Sequence, residues 1–441
     1  MSKQVVAHFM LGNTYSYTDE IWVEQIELAV KTGLDGLSLN LGPEEWQFDQ
    51  ALRAAQLCPP HFKLFLSLDM NVLPSSTTSS ASLLASKIVN FASCTRYLLA
   101  NKDPSGPGTH QMTRTGKIVV STFGGANATF GGIGWKGLFK MVEKEGFKLF
   151  FVPAFFLPPE KIMTDPLVDG TFSWNTAWPI NGSGHITSDE DKPFLKSSLF
   201  KKRKPYMAAV SPCFFTHYGT EPPWGWNKSS AGMTTERDIG PIVGSQPGSE
   251  AWTTGFDHSG FLSLTTHFNR LYKSLTPNRT VLPSQSGGSI VRDLKDNILD
   301  EEQERLVIYY RTCRKEGQIR EDGRADRVGK PDRAEQAEDL MTIHSILHQP
   351  YVLTITTEPS SSRSSSSECA TDQIVPFQKG SRYLTVPFSP GRIFFTVSQA
   401  SDTEGKVVGR LEGIEIQSEV LNGYNFNLCS KVLHIRSDLD D

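Results

Sequence analysis

The chain repeats one arrangement: a short apolar run that stops abruptly on polar residues. The clearest case is Phe62-Lys-Leu-Phe-Leu-Ser-Leu-Asp69-Met-Asn71, largely apolar as far as Leu68 and then ending on an acid and an amide. A short run rich in Phe and Leu reads as a strand buried on both faces, the kind found in parallel α/β sheets. Such folds keep their chemistry on polar residues at the C-terminal ends of the strands. Asp69 and Asn71 therefore face a site, unless Asp69 only caps the turn or helix that follows.

The arrangement recurs. Val5–Asn13 is apolar, carries His8 and ends in Gly12-Asn13; Gly36–Gly42 ends near Asn40. Lys117–Gly125, Phe147–Phe156, Thr171–Asn175 and Tyr206–Pro212 continue the series, the last followed by Thr216-His217-Tyr218. Helical periods lie between them. Thr18-Asp19-Glu20 precedes Ile21, Val23, Ile26, Leu28, Ala29 and Val30, with Gly33 as the stop. Leu83–Leu99 and Trp135–Val142 carry the same spacing, the latter closed by Gly146. Strands alternating with helices imply βα units and a parallel sheet, and seven or eight units over about 285 residues suit a (β/α)₈ TIM-type barrel.

These residues also resemble a known family. Ala7-His8-Phe-Met10 with Gly12-Asn13-Thr14-Tyr15, Asp35-Gly36 with Leu39-Asn40, and Phe65-Leu66-Ser67 with Asp69-Met70-Asn71 are similar to motifs of glycoside hydrolase family 71, the fungal α-1,3-glucanases or mutanases. Val120–Gly125, Phe172–Asn175 and Val210-Ser211-Pro212 with Phe215-Thr-His217 follow in the family's order. A weaker similarity resumes at Ile239-Gly240-Pro241 and runs through Trp252 to Phe256-Asp257-His258. The resemblance implies hydrolysis of the α-1,3-glucan of fungal cell walls by an inverting mechanism, with no cofactor or metal.

A net charge of −4 and a pI near 6.2 argue against a nucleic-acid binder. Without an apolar run of about 18 residues, no membrane helix is expected. The first strand begins near Val5, which leaves no room for a signal peptide and points to an intracellular location as written, although the resembled family is mostly secreted; a monomer is expected. The six cysteines lack CxxC spacing, which excludes a zinc ribbon and leaves disulfides open. Sequons at Asn127, Asn181, Asn227 and Asn278 would matter only in a secreted chain. Lys201-Lys-Arg-Lys204 reads as a solvated turn before a strand, and the Ser-rich 359–367 segment as a loop.

Beyond about Ser286 the pattern changes. Val307–Tyr310, Tyr351–Thr356, Arg382–Val386, Ile393–Val397, Leu411–Ile416 and Val432–Ile435 are short β runs separated by Gly, Pro and Ser. They read as an antiparallel β-sandwich-like domain. The expected division is a catalytic barrel over 1–285 and a β-rich accessory domain over 290–441, with Asp322–Asp339 as an exposed excursion. The resembled family also carries a β domain after its barrel.

Glycoside hydrolysis usually takes two carboxyl groups, and in an inverting enzyme they stand about 6.5–9.5 Å apart with water between. Asp69 is one candidate; a role in binding sugar hydroxyls is the alternative. His8, Asn13, Tyr15, Asn40, Asn71, Trp174, Asn175, Trp178 and His217 read as sugar contacts, since Trp stacks on a pyranose and Asn binds vicinal hydroxyls. The resembled family ends its last barrel strand in Trp-Asn-Asp-Tyr-Gly-Glu, which holds its strongest catalytic candidates. This chain has neither that motif nor the helix and strand before it. Between Trp226 and Ile239 it reads Asn-Lys-Ser-Ser-Ala-Gly232-Met-Thr-Thr-Glu236-Arg237-Asp. Written with one choice of synonymous codons as TGG AAT GAC TAC GGA GAG, followed by A and read one base later, the family's motif gives GGA ATG ACT ACG GAG AGA. Those encode Gly-Met-Thr-Thr-Glu-Arg, identical to Gly232–Arg237. The eighth βα unit is therefore expected to be missing or disrupted by a shifted frame, leaving Glu236 as the nearest substitute acid. A degenerate barrel that binds α-glucan without cleaving it, and a glycosidase of another linkage, are the alternatives.

Overall fold

The computed structural model describes residues 5–94, 117–177, 191–195, 204–209, 213–216, 228–231, 243–244, 303–311, 340–358, 370–387, 391–400, 405–416 and 428–436, together with five helical positions between 263 and 270. The chain divides into two compact units, Met1–Gly255 with Phe268–Gln285, and Phe256–His267 with Ser286–Asp441.

The first unit is built on a parallel sheet. Its strands are β1 (Val6–Met10), β2 (Gly36–Leu41), β3 (Lys63–Asp69), β4 (Ile118–Phe123) and β5 (Leu149–Ala154), in that spatial order. β2 is buried along its whole length and β3 at every residue but its last, as their apolar composition requires. The motif Asp35-Gly36 serves the sheet. Asp35 accepts the Val5 amide on Oδ2 at 2.7 Å, and its carbonyl accepts the Lys63 amide at 2.8 Å. A Cβ on Gly36 would lie 2.1 Å from the Lys63 carbonyl oxygen, so no other residue fits there.

Helices follow the strands. α1 (Asp19–Lys31) is capped by Thr18, whose hydroxyl accepts the Ile21 amide, and Gly33 at φ 81° ends it. Its inward residues are Trp22, Ile26 and Ala29. α2 (Glu45–Leu57) has no counterpart in the sequence reading, because its apolar stripe is mostly alanine: Ala51, Ala54 and Ala55 are buried beside Phe48. Trp22 Nε1 donates to Gln50 Oε1 at 2.7 Å and joins the two helices. α3 (Thr78–Ala92) starts a turn before the expected Leu83, at the cap Thr77, and α4 (Gly134–Lys144) lies where Trp135–Val142 predicted it.

Two further parallel strands, β6 (Thr171–Ser173) and β7 (Tyr206–Ala208), pair with each other. The amides of Asp169 and Gly170 donate to the Phe151 carbonyl and tie the entry of β6 to β5. Phe172, Met207 and Ala209 pack in one cluster with Val6, Phe65, Val119, Val152 and Ala154. Side chains from β1 and from β7 thus belong to one cluster on the inner face. β8 (Cys213–Thr216) and β9 (Lys228–Ala231) pair antiparallel. β10 (Val243–Gly244) lies parallel against β1, Val6 opposite Val243 and Ala7 opposite Gly244. This pairing covers two residues of the β1 edge.

The second unit holds two four-stranded antiparallel sheets. The strands are β11 (Arg305–Arg311), β12 (Leu340–Leu347), β13 (Tyr351–Glu358), β14 (Thr371–Phe377), β15 (Gly380–Pro387), β16 (Gly391–Gln399), β17 (Val407–Ile416) and β18 (Leu428–His434). The sheet orders are β15-β12-β11-β18 and β14-β13-β16-β17. Leu306, Ile308, Met341 and Ile343 of one sheet share a core with Leu353, Ile355, Phe377, Ile393 and Phe395 of the other. β12 and β14 are additions to the sequence reading. The Asp322–Asp339 excursion lies outside the described residues.

Candidate active site

In-register neighbours on parallel strands share a face. Met10, Asn40, Ser67, Ser121 and Val152 form one such row, and Asp69, Phe123 and Ala154 form the next toward the C-terminal edge. Val152 and Ala154 belong to the inner cluster, so both rows face inward. The inner face thus changes from apolar at Val6, Phe65 and Val119 to polar at its C-terminal end.

Asp69 is the last residue of β3 and half-buried. Burial raises its carboxyl above the usual range, against the smaller opposing pull of the Asn71 amide, which donates to Oδ1 at 3.2 Å. Its carbonyl accepts the amides of Val72 and Leu73. Asp69 therefore shapes the turn, as the cap reading had it, and also presents a protonatable group to the inner face. It is the only acid among the last residues of β1–β7.

His8 lies across from it on β1. Its Nε2 is sealed from solvent without a hydrogen-bond partner among the described residues. Burial lowers its pKa to about 4, so the ring is neutral near pH 7. Its edge meets Trp174, the residue after β6, at 4.7 Å between centroids and 82°. Trp174 in turn packs on Phe123 at 4.8 Å and Phe172 at 5.7 Å, and Phe123 on the exposed Phe156 at 5.2 Å. An aromatic wall thus runs from β1 through β6 to β4 and the loop after β5.

Asn40 is buried on β2, one strand from Asp69, beside Ser67, whose Oγ also has no partner among the described residues. Asn13, Tyr15, Asn71 and Asn175 are exposed in the loops beyond β1, β3 and β6. Asn71 is held by close approach of the β4 loop: a Cβ on Gly124, at φ 72°, would lie 2.8 Å from Asn71 Oδ1. The next residue, Gly125 at φ 94°, accepts Trp135 Nε1 on its carbonyl at 2.9 Å. Trp178, His217 and Glu236 lie outside the described residues. Sequence reasoning passed over Phe123, Phe156 and Ser67. Their signal was register with Asp69 and Asn40, which is legible only once the strands are paired.

The family model described as Glycosyl hydrolase family 71 matches residues 1–237 and 231–438. The chain belongs to glycosyl hydrolase family 71. Glucan endo-1,3-alpha-glucosidase agn1 of Schizosaccharomyces pombe is 31% identical over 301 residues, 62% of this chain and 66% of that protein, just under two thirds of its length. The ascus wall endo-1,3-alpha-glucanase of the same yeast is 28% identical over 80% of this chain and 81% of that protein. A mutanase of Penicillium rubens is 25% identical over 97% of this chain and 88% of that protein. The family 71 match comes in two segments that overlap at 231–237, the stretch containing Gly232–Arg237. Among the described residues, no helix of this family 71 chain is long and apolar enough to cross a membrane.

Proposed function

We propose that this chain carries the substrate cleft of an inverting α-1,3-glucan hydrolase, with Asp69 as the acid that protonates the leaving oxygen. The observation that carries this reading is Asp69 itself. It is the one acid at the described strand ends of the parallel sheet, and burial raises its pKa in the direction a proton donor needs. In the reaction, water attacks the anomeric carbon while the glycosidic C–O bond breaks. The Asp69 proton passes to the departing oxygen, and a second carboxylate takes the proton from water. His8, Asn40 and Trp174 would line the sugar at the cleavage point, and Asn13, Tyr15, Asn71, Asn175, Trp178 and His217 the rest of the cleft. The three relatives named for α-1,3-glucan cleavage or as a mutanase support the substrate.

In the same reading the parallel sheet is most of a (β/α)₈ barrel, and the paired antiparallel sheets form an accessory β-sandwich. The broken family match at 231–237 favours a second point. The acidic motif of the last strand is out of frame, so the chain as written binds α-glucan without completing hydrolysis. Assaying α-1,3-, β-1,3- and α-1,4-glucan side by side tests the substrate. Cleavage of only another linkage would displace the α-1,3 reading.

A further inference from the structure

We infer that Tyr15 and Trp46 form an outer aromatic subsite that grips a glucan chain away from the cleavage point. This rests on the glucan-binding part of the proposed function, and it does not need the chain to be catalytically complete.

Tyr15 is 77% exposed, the most exposed of the large hydrophobic side chains among the described residues. Its backbone is nevertheless fixed. Thr14 is fully buried, its Oγ1 donating to the Leu11 carbonyl at 2.7 Å, and the Tyr17 amide closes a turn onto the Thr14 carbonyl at 3.0 Å. Tyr17 is anchored by Phe9 at 6.3 Å and Trp22 at 5.3 Å. Tyr15 is therefore the raised tip of a turn pinned on both sides.

Trp46 supports it from the start of α2, its ring meeting Tyr15 edge to face at 5.2 Å and 87°. The loop that delivers Trp46 is fixed as well. The Gly42 amide donates to Gln47 Oε1 at 2.7 Å, and Gln47 Nε2 donates to a Glu44 carboxylate oxygen. A Cβ on Gly42 would strike the Gln47 amide, so the loop closes only around glycine. The result is a rigid, half-exposed pair of rings at the C-terminal edge of β1 and β2, the edge that bears Asp69.

Position then assigns the role. Tyr15 lies five residues past the end of β1 and Trp46 five past the end of β2, whereas His8, Asn40 and Asp69 lie on the strands themselves. The pair is therefore assigned to a part of the chain outside the sugar undergoing cleavage. Rings that touch a remote part of the substrate contribute uniform binding, which strengthens affinity without acting on the reacting bond. A long polysaccharide reaches the pair and a short oligosaccharide held at the cleavage point does not.

The test is binding of the full chain to insoluble α-1,3-glucan, with β-1,3- and α-1,4-glucan in parallel, read by depletion from the supernatant. Tyr15→Ala is expected to weaken binding about tenfold, the loss of one aromatic contact. Tyr15→Phe keeps the ring and is expected to retain binding within about twofold. Because Tyr15 is so exposed, both variants should keep the wild-type melting temperature. Ile374→Ala removes an apolar residue 70% exposed on the antiparallel sheet and is expected to change nothing. Wild-type affinity in Tyr15→Ala, or an equal loss in Ile374→Ala, would overturn the subsite. If the chain binds a different glucan and Tyr15→Ala weakens that binding, the subsite stands and the α-1,3 substrate reading fails. If the wild type binds none of the three, both fail.

Discussion

Two side chains carry the site's electrostatics, and each makes a prediction. Asp69→Asn, placed in a hydrolytically competent form of the chain, should lower turnover about 10²–10⁴-fold if Asp69 transfers the proton. A change confined to KM would instead make it a sugar contact. Because burial raises its pKa, the activity limb that falls with rising pH should sit above the ordinary carboxylate range. His8 titrates in the opposite sense. Its folded pKa of about 4 lies below the ordinary 6.5, so the unfolded chain binds more protons between those values. His8 therefore lets stability rise with pH across that window, and acidification from pH 6.5 to 4 removes on the order of 3 kcal/mol. Urea midpoints of wild type and His8→Gln across this range check it: the variant should lose less on acidification, and parallel curves would contradict the assignment. Asp69, His8, Asn40 and Trp174 could be singled out as candidates in the sequence because each ends or interrupts an apolar run. Phe123 and Phe156 were not, since a Phe beside other core Phe residues gives no sign of facing a cleft until register pairs Phe123 with Asp69.

At the scale of elements, what could be read depended on side-chain size. The Phe- and Leu-rich strands β1–β5 announce themselves, and α1 is bounded by Thr18 and Gly33. α2 escaped notice because alanine buries well in a helix yet gives a weak periodic signal. β14 did as well, since its outward residues include Pro376 and the exposed Ile374, which blur the alternation. Asp35-Gly36 looked like part of a motif and turned out to serve the sheet. Gly36→Ala should test that role. Its methyl would press on the Lys63 carbonyl and force β2 and β3 apart, at a cost of about 1–3 kcal/mol in unfolding free energy. Thermal or urea melting would show the loss, whereas an unchanged midpoint would mean the strands are not packed as described.

The whole molecule poses the question of competence. The first unit's main sheet has five parallel strands with the two-residue β10 beside β1, and the proposed reading completes it as a barrel. A second carboxylate beside Asp69, however, is missing from the last residues of β1–β7. The composition of 226–239 showed where the family pattern fails, and the two-segment family match breaks at the same residues. In the proposed shifted-frame reading, no periodicity argument could supply the last strand's acidic motif, because it would be missing from the sequence itself. The direct measurement is reducing sugar released from α-1,3-glucan by three proteins: the 441-residue chain as written, a version with the in-frame Trp-Asn-Asp-Tyr-Gly-Glu segment and its preceding helix and strand restored, and that version with Asp69→Asn. Only the restored chain should release sugar, and Asp69→Asn should cut its rate about 10²-fold or more. Hydrolysis by the chain as written would contradict the shifted-frame account. Full activity in the Asp69→Asn form would remove Asp69 from the reaction.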